Sequence, residues 1–285
     1  GELLVGAPLA VVLSASGGER WRDKTHSAPF SQVTLPGPGF IAGKTALCVG
    51  ASAPRKGRLS SVVAHDPSGS QRWSSALERT VTGAGQVSFK KADAAQALLV
   101  DPSLAQVVVV GGHQVMGLRL TDGKELWRRE EPQINGQPAI IGGCLVGGVD
   151  PSLVLTRRDR SLVVLDLSGD GQRPRWVRML PPGTPGALPS IPVAIRKGIV
   201  REDTVAVVAP NGVLLFFALA DGAYLGERRT PDGLLPWIEG LRIRPPAAIQ
   251  PDVALANAAD TLLVASRDAH LVALGLRSEE RRVGK

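Results

Sequence analysis

The stretch 118-LRLTDGKELWRR-129 reads as two short strands around a tight turn, with a Trp four residues after the turn Gly. Leu118 and Leu120 alternate with polar neighbours, as a half-buried strand requires. Asp122 can bond the local backbone, and Gly123 supplies the positive φ that a tight hairpin needs. The same arrangement recurs in 11-VVLSASGGERW-21, 63-VAHDPSGSQRW-73 and, with Trp five residues after Gly171, in 162-LVVLDLSGDGQRPRW-176. A fifth copy, 213-VLLFFALADGAYLGERR-229, keeps the turn but has Gly226 where Trp is expected. The aligned positions are 21, 73, 127, 176 and 226, at intervals of 52, 54, 49 and 50 residues, and four of the five tryptophans fall in this register.

Each hairpin follows another apolar strand, such as 106-QVVVVGG-112, 153-LVLTR-157, 204-TVAVVAP-210 and 261-TLLVAS-266. Pro-led segments such as 138-PAIIGG-143 and 192-PVAI-195 lie further upstream. The result is about four short strands every 50 residues with no helical periodicity. A four-stranded meander cannot bury both its faces alone, but repeated radially it forms a β-propeller whose sheets cover one another. The predicted fold is therefore an all-β propeller of four-stranded blades over residues 1–276, with about six blade units visible in an incomplete seven- or eight-bladed ring.

The blade signature comprises Gly17, Trp21, Gly69, Trp73, Gly123, Trp127, Gly171, Trp176 and Gly222. In this reading each Trp covers the neighbouring blade and donates its indole N–H to a backbone carbonyl there, while the turn Gly lets the blades approach.

Composition limits the function classes. The chain has 285 residues, 44% apolar and 4% aromatic, so Val, Leu, Ile and Ala build the core. Its formal charge of +7 is spread in pairs such as Arg128-Arg129, Arg157-Arg158 and Arg228-Arg229, with no interleaved aromatic platform. That pattern reads as a solvated surface and not as a nucleic-acid footprint. No apolar run approaches the roughly 18 residues of a membrane-spanning helix. Cys48 and Cys144 lie far apart with no Cys-x-x-Cys, so two free buried thiols are expected.

The pattern apolar-x-Leu, one or two further residues, then Asp/Ser-Gly-x-x-x-Trp resembles the PQQ-like, or quinoprotein-type, propeller repeat, with 118-LRLTDGKELW-127 the closest match. That family includes quinone-dependent alcohol dehydrogenases, the lipoprotein propeller of the outer-membrane β-barrel assembly machinery, and sensor propellers of bacterial kinases. The resemblance implies a bacterial cell-envelope setting and a protein partner. The enzymes of the family use a cation with carboxylate and Asn ligands, a catalytic Asp and usually a vicinal disulfide. No adjacent cysteine pair is present. The chain is read as a non-catalytic, cofactor-free scaffold, with a fragment of a quinone- or metal-dependent dehydrogenase as the alternative.

A second alternative is a calcium-binding adhesion propeller of the FG-GAP type. Its only hint is 166-DLSGDGQRP-174, where Asp166, Ser168 and Asp170 alternate before Gly171. The positions that should supply a closing acid hold Val177 or Pro174, which favours an elongated hairpin turn. His26, His65, His113 and His270 have no i, i+2 or i, i+4 partner, so no metal triad is spelled out. There is no Gly-x-Ser-x-Gly elbow, and 142-GGCLVGG-148 is not followed by a helix, so it is no phosphate cradle.

One insert, 230-TPDGLLPWIEGLRIRPP-246, breaks the repeat and is read as a loop folded onto its own blade. The chain opens on Gly1 and ends in 277-RSEERRVGK-285, where the apolar alternation stops. The first feature is read as a fragment or processed terminus, the second as a translated sequencing-adapter tail that contributes +2 of the net charge.

Overall fold

The computed structural model describes residues 3–6, 10–13, 19–22, 48–51, 60–65, 70–82, 88–93, 95–101, 104–147, 150–169, 171, 173–183, 186–195, 203–229, 253–258, 261–266 and 271–275. These form strands and turns, and no α-helix occurs among them. Hence no helix here is long and apolar enough to cross a membrane. The chain divides into two compact units, the first holding residues 1–132, 147–151 and 170–172 and the second the remainder.

Three antiparallel sheets belong to the first unit. One is β1 (Leu3–Gly6), β2 (Ala10–Leu13) and β3 (Glu19–Arg22). The next is β4 (Cys48–Ala51), β5 (Ser60–His65), β6 (Gln71–Thr82) and β7 (Ser88–Ala92), paired in that order. The third is β8 (Ala95–Asp101), β9 (Gln106–Gly111), β10 (Gln114–Arg119) and β11 (Glu125–Glu130).

The second unit repeats this plan. β12 (Ile140–Val146), β13 (Ser152–Arg157), β14 (Ser161–Asp166) and β15 (Pro174–Met179) form one four-stranded sheet. β16 (Val193–Ile195), β17 (Thr204–Val208), β18 (Val213–Ala218) and β19 (Tyr224–Arg229) form another. β20 (Val253–Ala258), β21 (Thr261–Ser266) and β22 (Leu271–Gly275) make a third. Within this unit β12 lies against β16 and β16 against β20, while in the first unit β4 lies against β8. The four-stranded antiparallel blade expected from the 50-residue repeat is the unit of construction.

Burial follows strand position within a blade. Val107, Val108, Val109 and Val110 of β9 are all buried, because β9 is covered on both faces. The outermost strands are open: on β11 and β15 the Trp is buried while most flanking residues are exposed or half-buried. One cluster of the first unit joins Val62, Trp73 and Leu77 to Val109, Met116 and Leu118. Its counterpart in the second unit joins Val154, Val164 and Trp176 to Val205, Leu215 and Phe217.

The sequence register proves to be a backbone register. Trp21 pairs with Val12, Trp73 with Ala64, Trp127 with Gly117, Trp176 with Val164 and Gly226 with Phe216. In all five hairpins the pairing then slips by one residue toward the turn, giving the same bulge.

One element departs from the expected repeat. β6 is twelve residues long and serves two partners, pairing with β5 through Leu77 and with β7 from Glu78 to Thr82. The connection out of that blade is therefore an extra hairpin, a second break in the repeat beside residues 230–246. Alternation of Arg79 and Val81 with Thr80 and Thr82 suits a strand as well as a loop, so composition alone did not mark it.

Candidate functional site

The hairpin tips are where the blade signature meets its neighbours. Trp73 donates its indole N–H to the carbonyl of Leu120 at 2.8 Å, and a methyl group placed on Gly123 would lie 2.4 Å from Trp73 Cε3. Trp176 repeats the contact in the second unit, donating to Leu219 at 2.8 Å beneath Gly222, whose added methyl would lie 2.7 Å from the ring. Both glycines hold a positive φ, +70° at Gly123 and +71° at Gly222. They meet two separate demands, since only Gly occupies the left-handed region freely and only Gly leaves room for the ring.

Trp127 departs from the expected acceptor. Its indole N–H bonds the Gln106 side-chain oxygen at 3.0 Å, within its own sheet. The cause is the partner opposite it: at Gly117 a methyl would lie 2.2 Å from Trp127 Nε1, so the ring settles onto bare backbone and finds Gln106 on the strand beyond. Gly171, at φ +67°, still packs on the face of Trp127. Gly17, Gly69 and Asp170 lie outside the described residues, and Trp21 is described only as part of β3.

Arginines reinforce these joints, a role not read from the sequence. Arg178, two residues after Trp176, donates from Nε to the Gly222 carbonyl at 2.8 Å and from Nη2 to that of Asp221 at 3.2 Å. Arg128 donates to the Glu78 carbonyl and to Gln114 Oε1 at 2.6 Å, and pairs with Glu125 at 2.5 Å. The available signal was a Trp followed within two residues by Arg.

The acid of each turn is an internal acceptor. Asp122 accepts from the Lys124 N–H at 3.0 Å, Asp166 from that of Ser168 at 2.9 Å and Asp221 from that of Ala223 at 2.8 Å. These are Asx turns, the local bond that makes Asp a turn residue. Asp166 also accepts from the Ser168 hydroxyl at 2.7 Å and faces Arg175 at 3.6 Å. The Ser168 hydroxyl, its N–H and the Arg175 charge hold the Asp166 carboxyl below the usual range. This oxygen is thus engaged by donors and a cation, as in a plain hairpin. Among the described residues no three His, Cys, Asp or Glu side chains gather as metal ligands.

Cys144 is a free thiol on β12, and burial pushes it up to about 12, partly opposed by a bond at the Ala194 backbone. The Cys48 side chain, His26, His270, the insert at 230–246 and the tail at 277–285 lie outside the described residues. A recess lined by Leu77, Asp93, Ala95, Val109 and Met116 is too narrow to admit a water molecule.

Joints in which Trp73, Trp127 and Trp176 meet Gly123, Gly171 and Gly222 invite comparison with solved propellers. The chain is similar to BamB from Moraxella catarrhalis. The match has a TM-score of 0.59 at 16% identity and covers 97% of this chain and 75% of that one. At that identity the likeness speaks for the fold alone, which is an all-β propeller of four-stranded blades. The computationally designed Ika8 protein aligns with 96% of this chain and 80% of its own, at 10% identity and a TM-score of 0.49, too distant to add to this. No protein-family model and no curated protein matches the sequence.

Proposed function

We propose that the chain is a non-catalytic propeller of the PQQ-like repeat type that serves as a protein-binding scaffold in the bacterial cell envelope. The observation that carries this reading is the likeness to BamB, an outer-membrane assembly lipoprotein, along 97% of the chain. The repeat resemblance of 118-LRLTDGKELW-127 points the same way. The residues that stand out in the repeat are engaged structurally: Trp73, Trp176 and Arg178 bond the backbone of the next blade, Trp127 bonds Gln106 of its own sheet, and the turn Asp carboxylates bond their own turns. The outer strands carry exposed side chains such as Leu126, Met179 and Tyr224, and exposed side chains on a rigid frame suit recognition of another protein.

Two measurements test it in the encoding bacterium. Deleting the gene lowers the amount of folded outer-membrane β-barrel protein, read by heat-modifiable migration. A photo-crosslinker at Tyr224, exposed on β19, traps a component of the β-barrel assembly machinery. Unchanged β-barrel levels, with no such adduct, overturn the reading. Saturable binding of pyrroloquinoline quinone with Ca²⁺ would support the dehydrogenase alternative instead.

A further inference from the structure

The turn between β13 and β14, 157-RRDR-160, and the turn between β17 and β18, 209-APNG-212, have the same geometry. Arg160 N–H bonds the Arg157 carbonyl at 3.0 Å, as Gly212 N–H bonds that of Ala209 at 2.8 Å. Asp159 accepts from the Ser161 N–H at 3.0 Å, as Asn211 accepts from that of Val213 at 3.2 Å. The fourth residue of each is left-handed, at φ +69° in Arg160 and +81° in Gly212. One turn fills that position with Gly, the residue it favours, while the other fills it with Arg against a backbone penalty. A side chain kept where the backbone disfavours it points to a use for that side chain.

Its surroundings indicate the use. No hydrogen bond or ion pair engages the Arg160 guanidinium among the described residues. Arg158 donates from Nε to the Pro138 carbonyl at 3.2 Å, while its Nη2 is shielded from solvent and meets no acceptor. An unmet shielded donor costs free energy, and an incoming carboxylate removes that cost as the long side chain turns toward it. Asp159 is the neighbouring acid, and it is already taken by Ser161 and, at 3.7 Å, by Arg157. Beside the turn, Met179 pairs with Ser161 and is 60% exposed, adding an apolar contact.

We infer that the Arg158–Arg160 turn, with Met179 beside it, is a docking site for an acidic, partly apolar segment of a protein partner. The inference rests on the protein-binding reading above and specifies the chemistry of the partner. A carboxylate on a peptide suits two arginines within one small turn better than a flat layer of lipid headgroups does.

The test uses the full chain and a labelled peptide of alternating Glu and Leu, a Gln-for-Glu counterpart, and phosphatidylglycerol vesicles. The acidic peptide binds with an affinity that falls with salt, and the Gln peptide binds at least tenfold more weakly, roughly the effect of one charged pair. Arg160→Gly weakens acidic-peptide binding by about tenfold while its urea midpoint stays equal or rises, because Gly relaxes the turn. Arg158→Gln weakens binding by a similar factor. Equal binding of both variants, equal binding of the Gln peptide, or vesicle binding that needs Arg160 when peptide binding does not, overturns the inference. In cells, a cross-link from Tyr224 that also persists from a probe at Met179 in Arg160→Gly sinks this site and leaves the scaffold reading standing. Unchanged β-barrel levels with no cross-link in the wild type, and Arg160-dependent peptide binding intact, sink the scaffold reading and leave the site.

Discussion

Gly222→Ala is the most informative change to make in this protein, because two physical effects act at one atom. The residue holds φ +71°, and left-handed backbone costs a non-Gly residue about 1–2 kcal/mol. The new methyl would also sit 2.7 Å from Trp176 Cδ2, inside normal contact. The indole cannot slide away freely, since its N–H is held at the Leu219 carbonyl 2.8 Å away and its neighbour Phe217 lies 6.4 Å off between ring centroids. Overpacking of this kind costs about 1–3 kcal/mol. The two effects together predict a loss near 3 kcal/mol, or roughly 6 °C in Tm for a chain of this size.

A double-mutant cycle separates them. In a Trp176→Ala background the ring is gone, so the same Gly222→Ala change retains only the backbone cost of about 1–2 kcal/mol. Urea unfolding followed by far-UV circular dichroism, compared at equal m-values, gives all four stabilities. A coupling of about 1–3 kcal/mol is expected. If Gly222→Ala costs the same with and without Trp176, the ring does not constrain the turn and the account of the blade joint is wrong.

Other changes probe separate parts of the argument. A methyl at Gly183 would lie 2.0 Å from the Pro210 carbonyl oxygen, backbone against backbone, so Gly183→Ala should cost at least about 2 kcal/mol by urea unfolding; a neutral result refutes the close approach. Trp127→Phe removes the donor to the buried Gln106 oxygen and should cost about 1–3 kcal/mol, mostly recovered by adding Gln106→Leu. With its thiol held up to about 12, Cys144 should resist disulfide reagents at about pH 8 until the chain unfolds, and mass mapping of rapid native labelling would contradict this. Asp166 is held below its usual pKa, so its contribution is present above the unfolded carboxylate value and lost as pH falls through the native one. Asp166→Asn should therefore narrow the stability gap between neutral and acid pH, and an unchanged acid limb argues against the Asx turn.

The class of fold is legible in the residue pattern alone. Turn Gly and Trp at spacings near 50 residues, with alternating strands before them, admit few architectures other than a propeller, because a lone four-stranded meander leaves apolar faces uncovered. Even the pairing of Trp176 with Val164, and of Gly226 with Phe216, was implicit in the alignment, since hairpin register follows the turn. Contacts across longer separations follow from how the sheets pack. Trp127 turns to Gln106 because Gly117 opens a path within its own sheet, whereas Trp73 and Trp176 reach a carbonyl 47 and 43 residues away. The strand that continues from Trp73 into a second hairpin has no marker in composition, because its residues suit either state. Arg160 reads in sequence as one basic residue among many, until the backbone places it at φ +69° where its structural counterpart is Gly212. Local pattern encodes strands and turns through short-range sterics and burial, while the acceptor a side chain finds depends on which surface of a neighbouring sheet packing brings to it.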